Sequence, residues 1–115
     1  MVSLENYAPQ RGDVVWLDFQ PQSGQEQGGR RPAVVISNGN YNKVVGLAVF
    51  CPITSKVKGY PFEVALPENF PISGVVLVDQ VKSLDWKILE AEFIGKLDSK
   101  TMEVILGLLG KILEI

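Results

Sequence analysis

The sequence contains no histidine and one cysteine, Cys51, in 115 residues. Each shortage removes a class of chemistry. Without histidine there is no Ser–His or Cys–His nucleophile pair and no His-based metal site. One cysteine cannot close an intrachain disulfide, which fits a reducing, cytoplasmic setting. Cys51 lies in the apolar run LAVFCPI with no basic partner beside it, and is read as inert core. No apolar run approaches the roughly 20 residues that span a bilayer, so no membrane contact is expected. The first residues, MVSLENYAPQRGD, lack the basic-then-apolar order of a signal peptide. The paired glycines 28 and 29 follow the spacing of neither a P-loop nor a dinucleotide fingerprint. No metal set and no cofactor are expected, and catalysis must rest on Arg, Lys, Glu, Asp, Thr, Ser or Tyr.

Acidic residues are also missing locally. From Gln27 to Phe62 there is no Asp or Glu, while Arg30, Arg31, Lys43, Lys56 and Lys58 all fall in that span. The remainder holds all 13 acids, and the net charge is −2. A stripe of one sign attracts a polyanion even on an acidic molecule. Chance clustering on a solvated face is the plain alternative.

What is present is one domain's worth of chain, residues 1–115, with 46% hydrophobic residues and hence enough to bury a core. GDVVWLDF, PAVVIS, VVGLAVFCPI, FEVAL, VVLVDQVKSL and Ala91–Leu97 read as short strands, and NGNYNK as a turn cluster. DSKTMEVILGLLGKILEI reads as a terminal helix with Asp98 or Ser99 as N-cap. Met102, Ile105, Leu109, Ile112 and Leu113 form its apolar face, and Leu106 and Leu108 widen it. Gly107 and Gly110 weaken it by roughly 1 kcal/mol each relative to alanine. They either admit a second backbone or merely accompany a helix that caps its own sheet. The expected fold is mainly β with a C-terminal α-helix, a small SH3-like β-barrel.

The stretch SGQEQGGRRPAVVIS, Ser23–Ser37, carries the chemistry. Pro32 biases Arg31 toward extended backbone, so Arg31 is expected as the first residue of a strand. Arg30 then points to the other side. A guanidinium is a planar, permanently charged fork that fits phosphate. Glu26 is near enough in sequence to reach Arg31, and a salt bridge that only pins the loop is one reading of the pair. The second polar loop, TSKVKGYP, supplies Thr54, Ser55, Lys56 and Lys58 at the end of the next strand. Sequential strands are usually neighbours. Arg31 and Thr54 are therefore expected to face each other across a phosphate-sized hollow with lysines around it. Trp16 and Phe19 are assigned to the core, and Lys58 and Tyr60 to the groove, where an aromatic ring stacks a base.

Four segments in order, RGDVVWLDFQP, GQEQGGRRPAVVIS, PITSKVKGYPFEV and GVVLVDQVKSLDW, span nearly the whole chain. Together they resemble the MazF/PemK family of toxin endoribonucleases, in the look of KGYPFEV and DQVKS its Escherichia branch. The resemblance implies an SH3-like barrel acting as a homodimer. It implies metal-independent cutting of single-stranded mRNA, and a cognate antitoxin with an acidic flexible tail in a toxin–antitoxin hetero-oligomer. It makes Arg31 and Thr54 the catalytic pair and matches Glu26 to the family's loop glutamate. Arg30, Ser55, Lys56, Lys58, Tyr60 and Gln80 become the expected RNA-binding set. Arg30 stands where some relatives have histidine, so any role of that histidine is absent or altered here. The rival function is that of the CcdB toxins, which share the fold and act on DNA gyrase without cutting RNA. A third is an inert interaction module.

Overall fold

A computed structural model describes residues 7–19 and 29–115. Glu26 and most of the polar loop before the paired arginines lie outside the described residues. The elements run β1 (Asp13–Phe19), β2 (Gly29–Val35), α1 (Gly39–Val45), β3 (Ala48–Thr54), β4 (Glu63–Ala65), β5 (Val75–Leu77), β6 (Lys82–Leu84), β7 (Glu92–Lys96) and α2 (Ser99–Leu113). All strand pairs are antiparallel. The sheet order is β4-β5-β3-β2-β1-β7, with β6 also on β3. Its end strands, β4 and β7, are not paired with each other among the described residues. The gap is closed by packing instead, since the Phe70 ring and Pro71 lie against the backbone of Gly95. The mainly β architecture with a terminal helix is as expected, in a barrel-like sheet that is laterally open in its hydrogen bonding.

The apolar runs of the sequence follow from burial on both sheet faces. Val14, Val34, Cys51 and Ile53 point into one cluster with Met102, Ile105 and Leu109 of α2. Val15, Leu17, Ala33, Val35 and Phe50 point the other way, onto Trp86. Neighbours in a strand alternate sides, so a strand buried on both faces has no polar alternation to show.

Three elements differ from the sequence expectations. NGNYNK opens a helix, α1, and takes Val44 and Val45 away from the next strand. Asn38 caps it by accepting the Tyr41 N–H at 2.8 Å, and Gly46 ends it at a φ of 84°. Buried Asn42 holds it down by donating to the carbonyls of Pro9 at 2.8 Å and Ser37 at 3.2 Å. The expected strand VVLVDQVKSL is broken by a 3-10 turn at Val78–Gln80 into β5 and β6. Both pair with the same edge of β3. Ile36 N–H donates to Val49 O, so odd-numbered β3 residues serve β2 and even-numbered ones serve β5 and β6. Pro52 thus leaves its missing donor on the edge where the partner strand breaks. Strand β2, finally, starts at Gly29, before both arginines, where the sequence suggested a start at Arg31.

The terminal helix begins as expected. Asp98 accepts the Thr101 N–H at 3.0 Å and its hydroxyl at 2.7 Å. Its expected apolar face is cut short, however. Met102, Ile105 and Leu109 are buried, whereas Ile112 and Leu113 are exposed in the single chain. Among the described residues nothing approaches Gly107 within 4 Å, whereas a Cβ on Gly110 would lie 3.3 Å from the Ile115 carbonyl oxygen.

Candidate active site

Strands β2 and β3 pair with Ala33 opposite Pro52 and Val34 opposite Cys51. Continuing that register by two residues sets Arg31 opposite Thr54. This pair is of the non-hydrogen-bonded kind, in which opposed side chains stand closer. Arg31 and Thr54 both line one cleft of about 450 Å³. Pro32 and Trp16, themselves opposed in the β1–β2 ladder, form one wall. Ser55, Ile72, Ser73, Leu77 and Gln80 complete it. The hollow inferred from strand adjacency therefore exists, with Arg31, Thr54, Ser55 and Gln80 in it.

Thr54 is held on several sides. Its Oγ1 accepts the Lys56 backbone N–H at 3.1 Å. A hydroxyl carries one donor and two acceptor positions, and among the described residues nothing takes the Thr54 O–H, which leaves it to be given to a ligand. Its backbone pairs with Val75 at the start of β5. Among the described residues no cluster of three or more His, Cys, Asp or Glu is placed to hold a metal ion.

Residues 10–113 match the family described as the PemK-like, MazF-like toxin of type II toxin–antitoxin systems. The chain belongs to this family. It is 42% identical over 102 residues, 89% of its length and 91% of the relative's, to the Escherichia coli (strain K12) protein named endoribonuclease toxin MazF. A MazE–MazF crystal structure from Deinococcus radiodurans superposes with a TM-score of 0.92 at 49% identity, covering 96% of this chain and 99% of the other. A mycobacterial endoribonuclease in complex with its cognate antitoxin superposes at 0.77 with 26% identity, over 94% and 97% of the two chains.

In this MazF-like toxin the other expected site residues are dispersed. Lys56, Lys58 and Tyr60 lie on the exposed loop beyond Thr54 and do not line the cleft. That loop is shaped by Glu63, whose carboxylate accepts the backbone N–H groups of Lys58 and Gly59, the latter at 2.9 Å. Lys58 Nζ sits 5.9 Å from the centroid of the Tyr60 ring. Arg30 lies away from the cleft, paired with the Glu92 carboxylate, its guanidinium 5.3 Å from the centroid of Trp16. Trp16, assigned to the core from sequence, is half-buried and lines the cleft. Ile72, Ser73 and Leu77 carried no signal in the sequence, since only the β3–β5 pairing brings them beside Thr54.

Two hollows are larger, about 660 and 590 Å³. The first has Lys96 and Asp98 in its lining, but Lys96 Nζ already serves buried Asp13 at 3.0 Å and Asp98 caps α2. The second holds the Arg30–Glu92 pair. Each also contains a hydroxyl, but both hydroxyls are already engaged: Thr101 donates to Asp98 at 2.7 Å and Tyr7 to Asp13 at 2.8 Å. Cys51 stays out of the chemistry: burial pushes its thiol up to about 12, and its Sγ lies 3.8 Å from Val78 O.

Proposed function

We propose that this chain is a sequence-specific endoribonuclease toxin that cuts single-stranded mRNA and is held in check by an antitoxin. The observation that carries the reading is the meeting of Arg31 and Thr54 in one cleft. The 42% identity to a protein named endoribonuclease toxin MazF supports it. The MazE–MazF assembly of the Deinococcus relative supports a small protein partner. Its acidic tail would meet the basic stripe. We place the toxin in the cytoplasm as a one-domain homodimer; no described helix is long and apolar enough to cross a membrane.

The simplest nucleophile is the RNA's own 2′-hydroxyl. Its oxygen attacks the adjacent phosphorus, the O2′–P bond forms and the P–O5′ bond breaks. The 2′-hydroxyl proton passes to a base, and the departing 5′-oxygen takes up a proton. Alignment within one substrate supplies on the order of 7–11 kcal/mol of the barrier. Arg31 meets two phosphate oxygens with its fork, and the Thr54 O–H donates to the charge that builds on the phosphorane. Glu26 is the chemically natural base, while the family resemblance gives more weight to Arg31 for that role.

Purified protein incubated with RNA alone tests this. Cutting is expected without gyrase and in the presence of EDTA, leaving 2′,3′-cyclic phosphate and 5′-hydroxyl ends. Arg31→Ala should lower the rate by roughly 10²–10³-fold with the fold intact, and Arg31→Lys should restore little, since an ammonium makes no fork. RNA with one 2′-deoxy sugar before the cut should bind and stay whole; efficient cleavage of it would replace the 2′-hydroxyl with an activated water.

A further inference from the structure

Gly74 sits directly behind Thr54. Its φ is +136°, a backbone conformation that side chains rarely adopt, and a Cβ built on it would lie 2.4 Å from Thr54 O and 3.0 Å from Thr54 C. The Ser55 Cα would be 3.4 Å away. Those neighbours are backbone, so no rotamer change relieves the contact. Gly74 itself does not line the cleft, yet the residues on either side of the contact do: Ser73 before it, and Thr54 and Ser55 across from it. The Gly74 carbonyl is also tied down, accepting the Leu66 N–H at 3.0 Å.

From this packing we infer that Gly74 is a positioning residue for the reaction. Its bare Cα lets the start of β5 press on the Thr54–Ser55 peptide and so sets where the Thr54 hydroxyl stands. The inference rests on the assignment of Thr54 above. The Lys56 N–H fixes the hydroxyl from the loop side, the Val75 pairing fixes the strand, and Gly74 fixes the peptide from behind. A methyl group at 74 must displace the Thr54 carbonyl or lift β5, and either movement carries Oγ1 with it. Misplacement of a catalytic group by about 1 Å reduces rate by about a hundredfold. Because Gly74 does not line the cleft, substrate affinity has no reason to change.

The test is a double-mutant cycle of Gly74→Ala and Thr54→Ala, read by single-turnover cleavage at saturating RNA and by binding of 2′-deoxy RNA. Gly74→Ala is expected to slow cleavage about a hundredfold with binding unchanged, and to add no further loss in the Thr54→Ala background. A full further loss there, or equal losses of binding and rate, would overturn the positioning role. Thr54→Ala cutting at the wild-type rate would instead overturn the function proposed for the cleft. Should Gly74→Ala not fold, three-bond couplings to the Thr54 methyl in the wild-type protein decide. One fixed rotamer is expected, and averaging among rotamers would overturn the proposal.

Discussion

The Glu63 carboxylate accepts the backbone N–H of Gly59 at 2.9 Å and that of Lys58 at 3.2 Å, so an acid at the start of β4 organises the loop that carries the cations. Gly59 turns there with a φ of 79°. Hydrogen bonds to a charged acceptor contribute about 1.5–3 kcal/mol when well formed, and less where water competes. Glu63→Gln should therefore loosen the Lys56–Tyr60 loop without unfolding the sheet. A severalfold rise in KM for RNA at unchanged kcat is expected. A fall in kcat alone would show that the loop serves the chemistry and not binding.

Arg30 and Glu92 form an ion pair whose side chains are 48% and 64% exposed, so its contribution to stability is at most about 1 kcal/mol. The same pairing withholds a cation from RNA. Glu92→Gln should leave the melting temperature nearly unchanged and tighten RNA binding at low salt. One added phosphate contact steepens the dependence of log K on log salt by about 0.7 for a single strand. An unchanged slope in a salt titration would remove Arg30 from the RNA-binding set.

Hydrogen bonds from the Thr101 hydroxyl and N–H hold the Asp98 carboxyl below its ordinary value of 3.8. A depressed folded value means that the unfolded chain binds the proton first as pH falls. The cap's contribution is thus fully present above pH 3.8 and is lost as pH drops through the lower folded value. Acid titrations of helix content should show this component in the wild type, and Asp98→Asn, which caps without titrating, should lack it.

The Cys51 thiol moves the opposite way, from 9.0 to about 12, through burial first and the Asp79 charge second. Here the unfolded chain loses its proton first as pH rises, so the stabilisation present below pH 9.0 fades between 9.0 and about 12. The native thiol should also resist a disulfide reagent at neutral pH and react at once in denaturant. Rapid labelling of the folded protein would place Cys51 nearer the surface than the core packing does.

Sequence by itself determined the local features. Asp98 before an apolar periodicity announced α2, because a cap and a repeat of 3.6 act within one segment. Arg31 and Thr54 could be matched because consecutive antiparallel strands put the start of one beside the end of the next. That placed both residues at one edge of the sheet, while the register that sets them opposite each other comes from the β2–β3 pairing. The tertiary structure decided what depends on distant partners. NGNYNK is helix because Asn42 is buried against Pro9, 33 residues away. Trp16 belongs to the cleft, and Arg30 does not, because Glu92 arrives from a strand 62 residues on. Gly74 and Ser73 stand behind and beside Thr54 only once β5 pairs with β3. Each of these is set by non-local contacts whose energy lies in packing and pairing, and no local pattern of residues encodes which surfaces will meet.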